Sequence, residues 1–173
     1  MLNNAITLEG QLETVQQAKE FLLGLTTENY QVVIKPHFVS SAGTHMRHIL
    51  DHYLALKDGV SQGLVNYNKR NRYTNIETCP QTALLQWQIL ERWLIEISQL
   101  DADMPLSVLC EISVDKTQNT QTKSTLAREL VFVSSHATHH FSLLAVINSL
   151  LGNKDEVHFG IAPSTASYLR QQA

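Results

Sequence analysis

Residues 134–140 read SSHATHH, so His136, His139 and His140 fall within five positions, just before the apolar run FSLLAVINSLLG. Successive residues of a helix turn by about 100°, which sets His136 and His140 about 40° apart and one turn apart along the axis. On that wheel both fall near the centre of an apolar face marked by Phe132, Val133, Leu143, Ile147, Leu150 and Leu151, and His139 falls toward its edge. Imidazoles that point into a protein interior need partners, because a polar group buried unpaired costs a few kcal/mol. Two histidines at i and i+4 present a pair of nitrogens to one ion.

A metal needs a third ligand, and THMRHILDHY offers His45, His48 and His52 on one side of a second helix, within roughly 60° of arc. Helix phase does not choose among them. The apolar stripe Met46, Ile49, Tyr53, Leu56 and Val60 is centred nearer His45 and His52 than His48, and taken alone it favours His45. Three neutral imidazoles around a divalent ion, with positions left to water, form a catalytic type of site. Such an ion lowers the pKa of a bound water or thiol, or polarises an electrophile. Imidazole suits zinc, nickel, iron and copper; zinc is the expected ion, with nickel or iron as alternatives. No general base is identified. Asp51 and Glu129 lie near the histidines in sequence and are candidate outer-shell partners.

Other chemistries are excluded by what the chain lacks. HATHH has no glutamate to complete HExxH, and there is no Gly-rich phosphate loop or GxSxG elbow. Cys79 and Cys110 form no CxxC, and read as ordinary thiols of a reducing compartment. A formal net charge of −3 gives no general attraction to nucleic acid. NYNKRNRY combines Lys69, Arg70 and Arg72 with Tyr67 and Tyr73, a composition that suits an anion or single-stranded nucleic acid. It reads first as a solvated loop. MLNNAITLEG has no basic stretch followed by an apolar one, and no continuous apolar run reaches the ~18 residues of a membrane span. A cytoplasmic protein without a membrane partner is expected.

With 173 residues, 43% of them hydrophobic, and no repeat or linker, the chain is expected to form one domain over 1–173. A first helix is predicted over 8–25, with Val15, Ala18, Leu22 and Leu25 at helical spacing. Residues 26–39 form a connection, Ser40 or Ser41 caps the second helix, and 63–76 is a polar loop. The third helix follows Pro80, with Ala83, Trp87, Leu90, Trp93, Leu94 and Ile97 on its apolar face. LSVLCEISV (106–114) alternates, placing Val108, Cys110, Ile112 and Val114 on one side; with DKTQNT as turn and TKSTL as return it predicts a β-hairpin. The fourth helix runs from Ser124 to Leu151, ended by Gly152, and Ser164 or Thr165 caps a short last helix. The expected class is therefore all-α, a four-helix bundle with a small β-hairpin between helices 3 and 4 and a short C-terminal helix.

GTHMRHILDHYLAL and STLARELVFVSSHATHHFSLLAVINSLLG, with NYNKRNRYTNIET and FGIAPSTASYL, resemble the DinB-like (DinB/YfiT-type) metalloenzymes. The resemblance covers most of the chain and implies an up-down-down-up bundle holding a divalent metal on three histidines. Matched position by position, the ligands are His136 and His140 from HxxxH and His48 from the second helix, with His45 as the fallback. It also implies a metal-dependent hydrolase or thiol-dependent transferase acting on a small-molecule substrate, with a thiol cosubstrate and a homodimeric state. A non-catalytic metal or small-molecule binding or sensor protein is the alternative.

Overall fold

The computed structural model describes residues 8–72, 74–154 and 156–172. Residues 1–7, which carry most of the leader reading, and Tyr73, from the basic run, lie outside the described residues. Four long helices make the body: α1 (Leu8–Leu23), α3 (Ala42–Gln62), α4 (Pro80–Ile97) and α5 (Leu126–Leu150). A five-residue α2 (Thr27–Gln31) precedes α3, and α6 (Pro163–Gln172) closes the chain without burying a residue. Helix α1 packs on α4 and α5, and α3 packs on α4 and α5. The shared core includes Trp87, Tyr53, Met46, Leu90, Leu130 and Phe141, all fully or almost fully buried.

The all-α four-helix bundle expected from the sequence is corrected by a three-stranded mixed sheet, order β1-β2-β3. Strand β1 (Leu64–Asn66) pairs in parallel with β2 (Pro105–Glu111), Val65 opposite Val108. Strand β2 pairs antiparallel with β3 (Asn119–Thr125), from Pro105 opposite Thr125 to Glu111 opposite Asn119. The chain is thus a set of six α-helices with a sheet built into it, among the described residues. Three residues, LVN, are too few to carry a period, so 63–76 read as loop throughout; β1 exists because a non-local strand pairs with it. The hairpin reading is also trimmed. Ile112 and Val114 lie beyond β2 and are exposed, so the alternation that includes them runs past the strand's end.

Local chemistry sets the ends of the helices that matter for the site. Ser41 Oγ accepts from Thr44 N (3.2 Å) at the start of α3, and Gly63, at φ 70°, ends it in the left-handed conformation that glycine adopts without a Cβ penalty. The turn drops β1 directly onto α3. A Cβ on Gly59 would stand 2.7 Å from Val65 Cα, so only glycine lets strand and helix approach this closely. Thr125 caps α5, its Oγ1 accepting from Arg128 N (3.3 Å), so β3 leads into α5 with no intervening loop.

Helix α5 is long and apolar enough by length and composition to cross a membrane, although polar residues such as Ser134, Ser135, His136 and Thr138 interrupt its apolar run. Its buried stripe is Leu126, Leu130, Val133, Ala137, Phe141, Leu144 and Ile147. His136 and His140 therefore flank the core instead of centring on it, and both are half-buried.

Candidate metal centre

Antiparallel contact between α3 and α5 brings the two histidine segments together as a ladder. At one level His45 meets His140, Nδ1 to Nδ1 at 3.0 Å. At the other, the His52 and His136 rings lie 4.1 Å apart. His48 stands between these levels, its ring 5.0 Å from His136 and 4.8 Å from His140. One ring nitrogen from each of His48, His136 and His140 lies within 4.8 Å of the others. His48 Nε2 and His136 Nε2 approach to 3.2 Å. The wheel cannot find this, because it reports angle about one axis and says nothing of level along it. Level sets His48 opposite the gap between His136 and His140.

His45 and His52, the two residues that helix phase favours, form the next layer. His45 Nε2 meets Ser40 Oγ at 2.9 Å, giving a chain Ser40–His45–His140. When His140 Nδ1–H donates into it, His45 passes its own Nε2–H to Ser40, and His140 Nε2 keeps the lone pair that a metal requires. His52 Nδ1 donates to the His48 carbonyl (2.9 Å), which leaves its lone pair on Nε2. His139 is exposed, its ring 5.1 Å from His140.

The environment keeps these imidazoles neutral. Burial is the largest cause of a lowered pKa at each, followed by neighbouring imidazoles: His48 falls to about 2, His136 to about 3 and His140 to about 4. Arg70 adds repulsion at His48 and His136. His45 and His52 are lowered too, again chiefly by burial. A neutral imidazole is the form that ligates.

Neither acidic residue suggested as an outer-shell partner touches a triad histidine by a hydrogen bond. Asp51 is buried and pairs with Arg47, which also reaches Glu77 at 2.6 Å. Its Oδ1 accepts from Asn71 N (3.1 Å) and Nδ2 (3.2 Å), pinning the basic loop to α3. Buried Glu129 accepts from Tyr67 Oη (2.7 Å), from Ser124 Oγ and from Arg128 Nη1 (3.3 Å), joining the end of the sheet to α5. Tyr67 stacks on His52, with centroids 5.4 Å apart. In the sequence Tyr67 reads only as part of a basic loop; its buried position follows from β1, which the sequence does not reveal.

Beside the ladder lies a cleft of about 770 Å³. His52 and Phe132 line it near the histidines, and the His136 ring is 4.1 Å behind the first and 5.9 Å behind the second. Arg70, Arg72, Lys123 and Arg128 line the remainder with Glu111 and Glu129.

No family model matches the chain. Over 109 residues, 63% of its length, it is 31% identical to FK506-binding protein 5 of Rhizopus delemar. The match spans 28% of that protein, just over a quarter of its length. These findings overturn the resemblance to the DinB-like metalloenzymes: neither comparison points to that family, and the curated relative bears a different name. The bundle topology implied by the resemblance falls with it. What bears on the histidines is the arrangement of the side chains themselves.

Proposed function

We propose that His48, His136 and His140 hold one divalent cation and that the protein is a metal-dependent enzyme, a hydrolase or thiol-dependent transferase, acting on a small molecule. The observation that carries the reading is the convergence of three half-buried imidazole nitrogens within 4.8 Å. The donor set fits the ion. Tetrahedral zinc with nitrogens at about 2.0–2.1 Å separates its ligand atoms by about 3.3 Å, and His48 Nε2 and His136 Nε2 stand 3.2 Å apart. Bound there on neutral ligands, zinc (or nickel or iron) supplies Lewis acidity to a water, a thiol or an electrophile.

The chain's own groups divide the remaining work. Ser40 and His45 orient His140 through the hydrogen-bonded chain. His52, fixed by the His48 carbonyl, faces the cleft wall with a neutral ring whose Nε2 can accept a proton. Phe132 packs its ring beside His136, between that histidine and the cleft. The half-burial of the triad favours an open, catalytic type of coordination over a closed structural one.

The test is cobalt substitution followed by candidate thiols. A sulfur-to-cobalt charge-transfer band supports the transferase branch. Turnover of esters or amides with no thiol response supports the hydrolase branch. A silent spectrum and no turnover by zinc or cobalt protein would replace the enzyme with a non-catalytic binding or sensor protein. FK506 binding, as the relative's name has it, belongs to that protein; titrating FK506 into this chain tests whether it extends to the matched stretch.

A further inference from the structure

We propose that the cleft beside the histidines takes the anionic part of the substrate, a small molecule bearing a carboxylate or a phosphate, and that Arg70 and Arg72 receive it. The role of the cleft as a substrate site rests on the metal reading above. The anion preference rests on different groups.

Four cationic side chains line the cleft against two carboxylates. Glu129 is already committed, accepting from Tyr67, Ser124 and Arg128. Arg128 is the cation that offsets its charge, which leaves Arg70, Arg72 and Lys123 in the lining against Glu111. Arg70, Arg72 and Lys123 form no ion pair among the described residues. Arg70 uses one N–H on the Tyr67 carbonyl (2.7 Å), which aligns its guanidinium while its further donors make no other hydrogen bond among the described residues.

The loop that carries the arginines is built, not merely present. Buried Asp51 grips Asn71, the residue between Arg70 and Arg72, through both its backbone and its side-chain nitrogen. The Gly59 contact fixes the strand from which the loop leaves. A guanidinium held in place before binding gives up less conformational freedom when it meets an oxyanion. Arginine also matches carboxylate and phosphate with two parallel N–H donors. A volume of about 770 Å³ holds a small molecule that reaches from the arginines toward the His52 wall.

Calorimetric titration of the full chain tests this, with zinc and without it. Glutarate and inorganic phosphate serve as oxyanion probes, and dimethyl glutarate is the neutral control. Glutarate should bind the metal-free chain, and Arg72→Gln should weaken it about tenfold or more, as expected for a charge-assisted hydrogen bond. Arg70→Gln should do likewise, and Arg72→Gln carries the test alone if the Arg70 variant loses its fold by circular dichroism. Phosphate that displaces glutarate identifies a general oxyanion site; phosphate that does not identifies a carboxylate site. Equal binding of the diester, or glutarate affinity unchanged in the folded variants, would overturn the inference. If zinc binds stoichiometrically while the arginines make no difference, the anion inference fails and the metal reading stands. Arginine-dependent glutarate binding by a chain that takes no zinc gives the reverse.

Discussion

His45 and His140 face each other Nδ1 to Nδ1 at 3.0 Å across the α3–α5 contact. On the proposed metal site, the histidine that helix phase prefers thereby orients a ligand without being one. His45→Ala should weaken zinc by about 10- to 100-fold, the usual cost of losing an outer-shell partner, and should retain the stoichiometry. His48→Ala should remove tight binding altogether. Competition titration against a chromophoric chelator separates the two, and equal losses would place His45 among the ligands.

Acid sensitivity of the metal-free chain follows from the lowered histidines. Unfolded, each titrates near ~6.5, whereas folded His48, His136 and His140 titrate at about 2, 3 and 4. Below pH ~6.5 the unfolded chain binds protons that the folded one refuses, so stability falls as pH drops and continues to fall toward those folded values. Above that pH these groups contribute no slope. The urea midpoint of the metal-free protein should be lower at pH 5.5 than at pH 7.5, a change that a His48→Gln/His136→Gln variant reduces. A midpoint equally pH-dependent in both proteins would contradict it.

Gly59→Ala tests how β1 is held. The added methyl would meet Val65 Cα at 2.7 Å and the Leu64 carbonyl at 2.8 Å, both backbone atoms that cannot swing aside. A loss of roughly 1–3 kcal/mol is expected, in the range of overpacked sites, read as a lower denaturation midpoint. Unchanged stability would mean that the strand moves freely on α3.

Glu129→Gln tests the knot behind the cleft. The amide would turn its NH₂ toward hydroxyl donors that now meet a carboxylate, and a cost of roughly 1–3 kcal/mol is expected for the disrupted buried hydrogen bonds. A double-mutant cycle with Tyr67→Phe should show coupling, because Tyr67 donates to Glu129 at 2.7 Å. Strict additivity would separate the two residues.

Helices α1, α3, α4 and α5 are legible because each repeats apolar residues at helical spacing over many turns, and Ser41 and Gly63 mark the ends of α3 by their own chemistry. The hairpin is legible from alternation, with Ile112 and Val114 wrongly included. Strand β1 is not, because its pairing with β2 joins residues some forty positions apart. The same blindness to non-local contact hides the site's supports. Asp51 and Glu129 stand out as acids near histidines, yet their partners, Asn71 and Tyr67, come from the loop and strand that pattern cannot place. Histidine spacing marks the two helix faces; the level at which α3 meets α5 selects His48 for the cluster.

The central claim is that His48, His136 and His140 bind one metal ion, and metal stoichiometry tests it most directly. Untagged protein, exposed to zinc near pH 7.5, desalted and analysed by inductively coupled plasma mass spectrometry, should hold about one ion per chain. Protein carrying His48→Ala, His136→Ala and His140→Ala together should hold none while keeping its helical circular dichroism. Metal that stays absent from the unsubstituted chain, or equal zinc in the triple variant, would contradict the account.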